Sequence, residues 1–193
     1  MTLCLPNAAR NFAARFLGEH NIAQEEKLIV INPATTWLSK NWPAEFYAST
    51  ADALAADAKI IMCGGPGDRA IADKVKACAN MPIIDAVGKT SLLEMAALLN
   101  KANLLIVGDT GPLHMAVALG VPTVSIFGAT DPARFGPLPR GHIVLRSKAN
   151  CMPCHKTVCP QKDLRCMNSI RPEIVVNAAR RALAAGNGAG LKH

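Results

Sequence analysis

Four short runs of apolar residues limit what this chain can fold into: KLIVINP (27–33), KIIMC (59–63), NLLIVG (103–108) and VPTVSIFG (121–128). Each is too short for a buried helix, and none alternates strictly between apolar and polar residues. Strands of that kind are covered on both faces. The segments between them have helical period: AARNFAARFLGEHNI (8–22), Pro43 to about Ala56, DRAIADKVKACA (68–79), SLLEMAALLNKA (91–102) and TGPLHMAVALG (110–120). Ser91 and Glu94 stand in capping-box positions, Thr110 is a candidate N-cap and Gly120 a helix stop. MPIIDAVG (81–88) and HIVLR (142–146) add two shorter strands, and RPEIVVNAARRALAAG (171–186) a closing helix. Strand and helix in alternation predict an α/β fold, a parallel sheet with helices on both faces. Residues 1–26 read as a lead-in helix, 27–186 as the domain, and 187–193 as a flexible tail.

At 193 residues the chain suits one domain. Half of its residues are hydrophobic but only 4% are aromatic, so the core must be built from aliphatic side chains. No apolar run approaches the ~18 residues of a membrane span, and the first twenty residues lack a signal peptide's apolar stretch. A cytoplasmic location is expected. Through residue 140 Lys and Arg balance Asp and Glu at 12 each, so the net charge of +7 belongs to the last quarter, with 9 against 2. A nucleic-acid surface is therefore not expected on the main body. The basic end is either a solvated face or a contact for an anionic partner, including transient contact with a membrane surface.

Ligands of open parallel sheets sit at the carboxyl ends of the strands. The segments there are Thr35–Thr36–Trp37–Leu38–Ser39–Lys40, Gly64–Gly65–Pro66–Gly67–Asp68, Gly88–Lys89–Thr90, Asp109–Thr110–Gly111 and Gly128–Ala129–Thr130–Asp131. They offer small residues, hydroxyls and lysines on one rim. GDTGPLHMAVALG (108–120) says most. Gly111 lets a ligand approach the backbone, and the helix start presents free N–H groups to an anion. His114, one turn past Thr110, can donate to a phosphate oxygen, or it is a satisfied histidine of the helix. Asp109 is disfavoured beside a phosphate and is read as organising the loop or accepting from a sugar hydroxyl. Lys40 can pair with a diphosphate as a point charge. Lys89 and Thr90 make a weaker case of the same kind. Asp68 either caps its helix or reaches a ribose. Neither GxxxxGK[ST] nor a GxGxxG after the first strand is present.

Cys151, Cys154, Cys159 and Cys166 form C-x₂-C-x₄-C-x₆-C. Four thiolates so close together can hold a structural zinc ion or an iron–sulfur centre, or remain free thiols.

INPATTWLSKNWPAEFYA (31–48), GKTSLLEMAALLNKANLLIVGDTGPLHMAVALGVPTVSIFGATDP (88–132) and RCMNSIRPEIVVNAA (165–179) together resemble the heptosyltransferases of glycosyltransferase family 9. The DTGxxH block with KxWP carries the resemblance. It implies a Rossmann-like sheet like the C-terminal domain of a GT-B glycosyltransferase, binding a nucleotide sugar, ADP-heptose or a relative. It implies inverting transfer of heptose to the lipid A–core of lipopolysaccharide at the inner face of the membrane. By the same resemblance, Thr35, Thr36, Lys40, Asp68, Asp109, Thr110, Gly111 and His114 fall on the donor site, and the rim positions of Lys89, Thr90 and Thr130 add them to the donor-binding candidates. Lys40, Asp109 and His114 stabilise the donor and leaving group. Asp68 stands where glutamate is frequent, and Ala129 replaces the proline of a GPTDP loop. The acceptor domain and its aspartate base match no residue here, so the chain alone is expected to bind donor and transfer poorly. No cofactor is implied for the transfer.

Overall fold

The computed structural model describes residues 4–138 and 141–186. The tail expected at 187–193 lies outside the described residues. Six strands, β1 (Leu28–Asn32), β2 (Lys59–Met62), β3 (Ile84–Asp85), β4 (Leu104–Gly108), β5 (Thr123–Phe127) and β6 (His142–Arg146), form one sheet in the order β3-β2-β1-β4-β5-β6. Every neighbouring pair is parallel. This is the Rossmann-like arrangement, and the order reverses direction between β1 and β4.

The helices are α1 (Asn7–Glu19), α2 (Ala44–Leu54), α3 (Arg69–Cys78), α4 (Leu92–Lys101), α5 (Gly111–Ala118), α6 (Pro132–Phe135), α7 (Arg165–Asn168) and α8 (Pro172–Gly186). Successive strand residues point to opposite faces, which explains why the strands are apolar throughout. Ile29, Ile31, Leu104 and Ile106 join a core under α2, α3 and α8. Leu28, Val30, Leu105 and Val107 join a second core under α1, α4 and α5. The aromatic anchor of the first core is Trp42, fully buried, edge-on to Tyr47, with its indole N–H donating to the Ile170 carbonyl at 2.7 Å. In the second, Ala9, Ala13 and Phe16 of α1 are buried, so the lead-in helix is packed into the domain it precedes.

Local signals explain most helix ends. Ser91 Oγ accepts the Glu94 N–H at 3.3 Å while the Glu94 carboxylate accepts the Ser91 N–H at 2.7 Å, the reciprocal cap the spacing predicts. Gly120, just past α5, takes φ +70°, a conformation that favours glycine. Thr110 occupies the N-cap position of α5, but its side chain makes no capping bond there. The expectation of a threonine cap is corrected on that point: the backbone at Thr110 is extended as an N-cap's is, but the hydroxyl does not close on the first turn. Two single-turn helices, α6 and α7, are additions to the sequence reading. Asp131 starts α6 by accepting the Ala133 N–H at 3.0 Å.

Candidate functional site

The rim loops after β1 and β4 are neighbours because β1 and β4 pair across the point where strand order reverses. After β1 the chain runs through Thr35, whose hydroxyl lies 2.8 Å from both the Trp37 carbonyl and Asn41 Oδ1. Asn41 Oδ1 also accepts the Thr35 N–H at 3.2 Å. These contacts close the loop and set up a 3-10 turn, Leu38–Lys40. The turn directs Lys40 inward. Its ammonium lies 4.7 Å from the centre of the Trp37 ring. It donates to the Asp109 backbone carbonyl at 2.7 Å and to Asp109 Oδ2 at 3.2 Å. The same Oδ2 accepts the Thr130 hydroxyl at 2.8 Å. Lys40, Asp109 and Thr130 therefore tie together the ends of β1, β4 and β5. The side chains of Lys40 and Asp109 are only 11% and 9% exposed. A charge pair this deep is tolerated because each partner satisfies the other and a hydroxyl takes a further lone pair.

Glycine makes the close approach possible. A Cβ on Gly108 would stand 2.9 Å from Thr35 Cγ2, so the β1 loop could not settle against the end of β4. Next to this cluster α5 begins. Gly111 is exposed with nothing within 4 Å of a Cβ built on it, and Pro112 follows. In this first turn Pro112 carries no N–H and the Leu113 N–H donates to the Thr110 carbonyl at 3.1 Å, so the Gly111 N–H is the backbone donor this end presents to an anion. His114 is exposed on α5, and Thr110 is half-buried at its start.

The structure distributes the other predicted residues along the same rim. Thr36 is exposed beside Thr35. Asp68 accepts the Gly65 N–H at 2.8 Å, so one of its oxygens caps its own loop. Gly88 has φ +72°, and its N–H donates to the Gly64 carbonyl at 3.0 Å, which joins the β3 loop to the β2 loop. Lys89 there is exposed, and the Thr90 hydroxyl is buried with no partner among the described residues. Among the described residues, no hydrogen bond or ion pair links Asp68, Lys89 or Thr90 to Lys40, Asp109 and Thr130. Sequence reading missed Asn41, and it placed Trp37 and Ser39 on the rim without assigning them these contacts. The one available signal was a polar asparagine between Lys40 and Trp42 in a loop that follows a strand.

The four clustered cysteines are free thiols lining one small pocket with Ser39, Ala129, Pro160, Gln161 and Arg165. Burial opposes ionisation of Cys159, but the backbone N–H groups of Leu164, Gln161, Asp163 and Lys162 outweigh it and hold its pKa below the ordinary thiol value. Cys166 is shifted the other way, chiefly by burial and then by the other three sulfurs, against one N–H from Met167. Among the described residues, no three His, Cys, Asp or Glu side chains already meet at one coordination point. The loop is fastened to the rim. Ser39 N–H donates to the Thr157 carbonyl at 3.1 Å, and Ser39 Oγ donates to the Lys156 carbonyl. His155 N–H donates to the Ala129 carbonyl at 2.9 Å. A Cβ on Gly128 would meet Cys166 Sγ at 3.0 Å and collide with Met167, so only glycine lets α7 lie over the end of β5. Among the described residues, no helix is long and apolar enough to cross a membrane.

Comparison with known proteins fits this geometry. The profile of glycosyltransferase family 9 (heptosyltransferase) matches residues 3–165. No curated protein matches the chain. Among solved structures, the chain is similar to the glycosyl transferase family 9 protein of Veillonella parvula DSM 2008, with 30% identity and TM-score 0.87 over 96% of this chain and 54% of that one. It is similar in fold to the E. coli ADP-heptose lps heptosyltransferase II, with 19% identity and TM-score 0.79 over 96% and 54% of the two chains. A third likeness in fold is to the dodecameric iron-containing heptosyltransferase TibC of enterotoxigenic E. coli in complex with ADP-D-β-D-heptose, with 19% identity and TM-score 0.66 over 86% and 48%. The chain thus spans about half the length of each of these structures. With residues 3–165 matched and the sheet and rim arranged as described, the chain belongs to glycosyltransferase family 9, the heptosyltransferase family.

Proposed function

We propose that this chain binds the diphosphate of a nucleotide sugar, ADP-heptose, and forms the donor half of a heptosyltransferase acting on the lipopolysaccharide inner core. The observation that carries the reading is the open start of α5 beside the buried Lys40–Asp109–Thr130 cluster at the strand-order reversal. The diphosphate rests on the Gly111 N–H, with the Thr110 hydroxyl and His114 as further donors. Lys40 has three N–H bonds, of which two are engaged with Asp109. The third is available to a phosphate oxygen, and Asp109 acts by holding Lys40 and Thr130 rather than by touching the anion. The adenine is the base named for TibC, whose structure holds ADP-D-β-D-heptose.

In the transfer, an acceptor hydroxyl attacks the anomeric carbon from the face opposite the diphosphate. The bond from that carbon to the β-phosphate oxygen breaks, and ADP departs with new negative charge on that oxygen. The Gly111 amide N–H, His114 and Lys40 are the groups that stabilise it, and such preorganised donors act without reorientation. The acceptor and the base that deprotonates it come from outside these residues. Contact with an anionic membrane surface through the basic last quarter belongs to the same reading. Isothermal titration of the chain with ADP, UDP, GDP and ADP-heptose tests it. Preference for the adenine nucleotides, lost in Gly111→Val, is expected. Equal indifference to all four would leave only the fold.

A second reading concerns the cysteine pocket: we infer that Cys151, Cys154, Cys159 and Cys166 hold one structural metal ion, zinc or iron. The four line one pocket, and four soft thiolates suit both metals. His155, directly after Cys154, and Lys162, three residues after Cys159, adopt positive φ of 51° and 56°, so the backbone turns beside both thiols. The four thiolates would hold the ion, and the ion would supply a cross-link within the loop. TibC, similar in fold, is iron-containing. The metal takes no part in the transfer. Elemental analysis of protein purified without added metal, with thiol titration before and after chelation, is expected to give one ion per chain. Four freely titrating thiols with no ion would refute it.

A further inference from the structure

The cysteine loop touches the donor rim at two places, and both flank the residues that form the phosphate site. On one side Ser39, the residue before Lys40, is fixed through its N–H and its hydroxyl to the carbonyls of Thr157 and Lys156. On the other side Ala129, the residue before Thr130, accepts the His155 N–H. His155 directly follows Cys154, while Lys156 and Thr157 lie between Cys154 and Cys159. The segment that grips both rim loops is therefore bounded by two of the four thiols. Cys166 and Met167 press on Gly128 from above, so the last thiol of the set bears on the end of β5. Ser39 and Ala129 line the cysteine pocket itself. Lys40 and Thr130 then meet on the same Asp109 carboxylate.

An eight-residue stretch such as 151–158, which presents Cys151, Cys154, His155, Val158 and exposed Lys156 and Thr157 to its surroundings, has little apolar burial of its own to hold it still. Order in such a loop comes from cross-links, and loops without them open at low free-energy cost. Clamping its sulfurs to one ion removes that freedom. The hydrogen bonds to Ser39 and Ala129 then hold Lys40 and Thr130 in register at no further entropic cost to the nucleotide.

We propose that the cysteine loop is a positioning latch for the donor site, so that closing its thiols on one metal ion raises the affinity of the chain for a nucleoside diphosphate. This rests on the metal reading above, and it adds a coupling that a purely local metal staple would not have. Coupling between two sites is reciprocal, so the nucleotide must raise metal affinity by the same factor.

The test uses the whole chain in three states: metal-stripped under reducing conditions, reloaded with zinc(II), and reloaded with iron(II). Metal content is measured for each, and ADP is the titrant in calorimetry. We expect about tenfold tighter ADP binding in the loaded states, within the usual range of allosteric coupling. An equilibrium competition with a chromophoric chelator is expected to show metal affinity raised by the same factor at saturating ADP. Ser39→Ala, which keeps all four cysteines but loses the hydroxyl bond to the Lys156 carbonyl, should bind one ion and show a smaller ADP response to it. One ion bound with ADP affinity unchanged within twofold would overturn the latch and leave the metal reading standing. No ion bound under any loading would overturn both. A Ser39→Ala chain with the full metal response would overturn the proposed route through Ser39.

Discussion

Changing Lys40 to methionine keeps an apolar stem of similar length and deletes the ammonium. Asp109 retains the Thr130 hydroxyl but loses the cation at 3.2 Å, and its backbone carbonyl loses a 2.7 Å donor. The carboxylate is 9% exposed, so water can replace little of what is lost. Removing one partner of a buried pair costs about 3–5 kcal/mol. The residual hydroxyl donor and the partial exposure place this site near the lower figure. For a chain of this size ~3 kcal/mol corresponds to a fall in Tm of roughly 6–12 °C. Urea unfolding at neutral pH should show a lower midpoint with an unchanged slope. Adding Asp109→Asn to Lys40→Met removes the stranded charge while keeping an acceptor for Thr130, so the double variant should be more stable than Lys40→Met alone. In the proposed site both single and double variants bind ADP more weakly. A Lys40→Met midpoint equal to that of the parent would refute the reasoning, because it would mean that solvent already screens the pair.

Two further outcomes follow from features away from the rim. Trp42→Phe leaves the buried Ile170 carbonyl without its 2.7 Å donor and opens space beside Tyr47, so unfolding should be easier by about 1–3 kcal/mol in urea melts. His142 is held below its ordinary value of 6.5 by burial, so below that pH the unfolded chain takes up a proton that the native chain resists. Stability should be complete above pH 6.5 and fall as pH drops through that window, and His142→Gln should flatten this part of a pH series of urea midpoints.

The sequence made the layers of the fold legible for a simple reason. Runs such as LLIVG at β4 feed both cores at once, so their lack of alternation was already a statement about helices on two sides. The capping box at Ser91 was readable because both partners lie within one helical turn. The strand order was not readable, since no local feature of β1 says that β2 and β4 will flank it. The same applies at the site. Lys40 and Asp109 were each noticed, but they are 69 residues apart, and only the reversal of strand order turns two separate loop residues into one ion pair. Asp68 could be read as a cap because its acceptor role is satisfied three residues away. The bonds from the cysteine loop to Ser39 and Ala129 use mostly backbone atoms, which leave no mark in the side-chain pattern. Helices α6 and α7 span four residues each, too few for a period to register.

The central place of β1 has a consequence for how the molecule comes to be. Made before either partner, this strand waits for one neighbour until residue 62 has been made and for the other until residue 108. Helix α1, made earlier still, has no seat until α4 exists to receive it. Two apolar segments thus leave the ribosome well ahead of the surfaces that will hide them. Such long-range closure slows folding and prolongs the interval in which a nascent chain can stick to another. A chaperone that shields α1 and β1 until α4 and β4 have emerged would act at the step where these segments are most exposed.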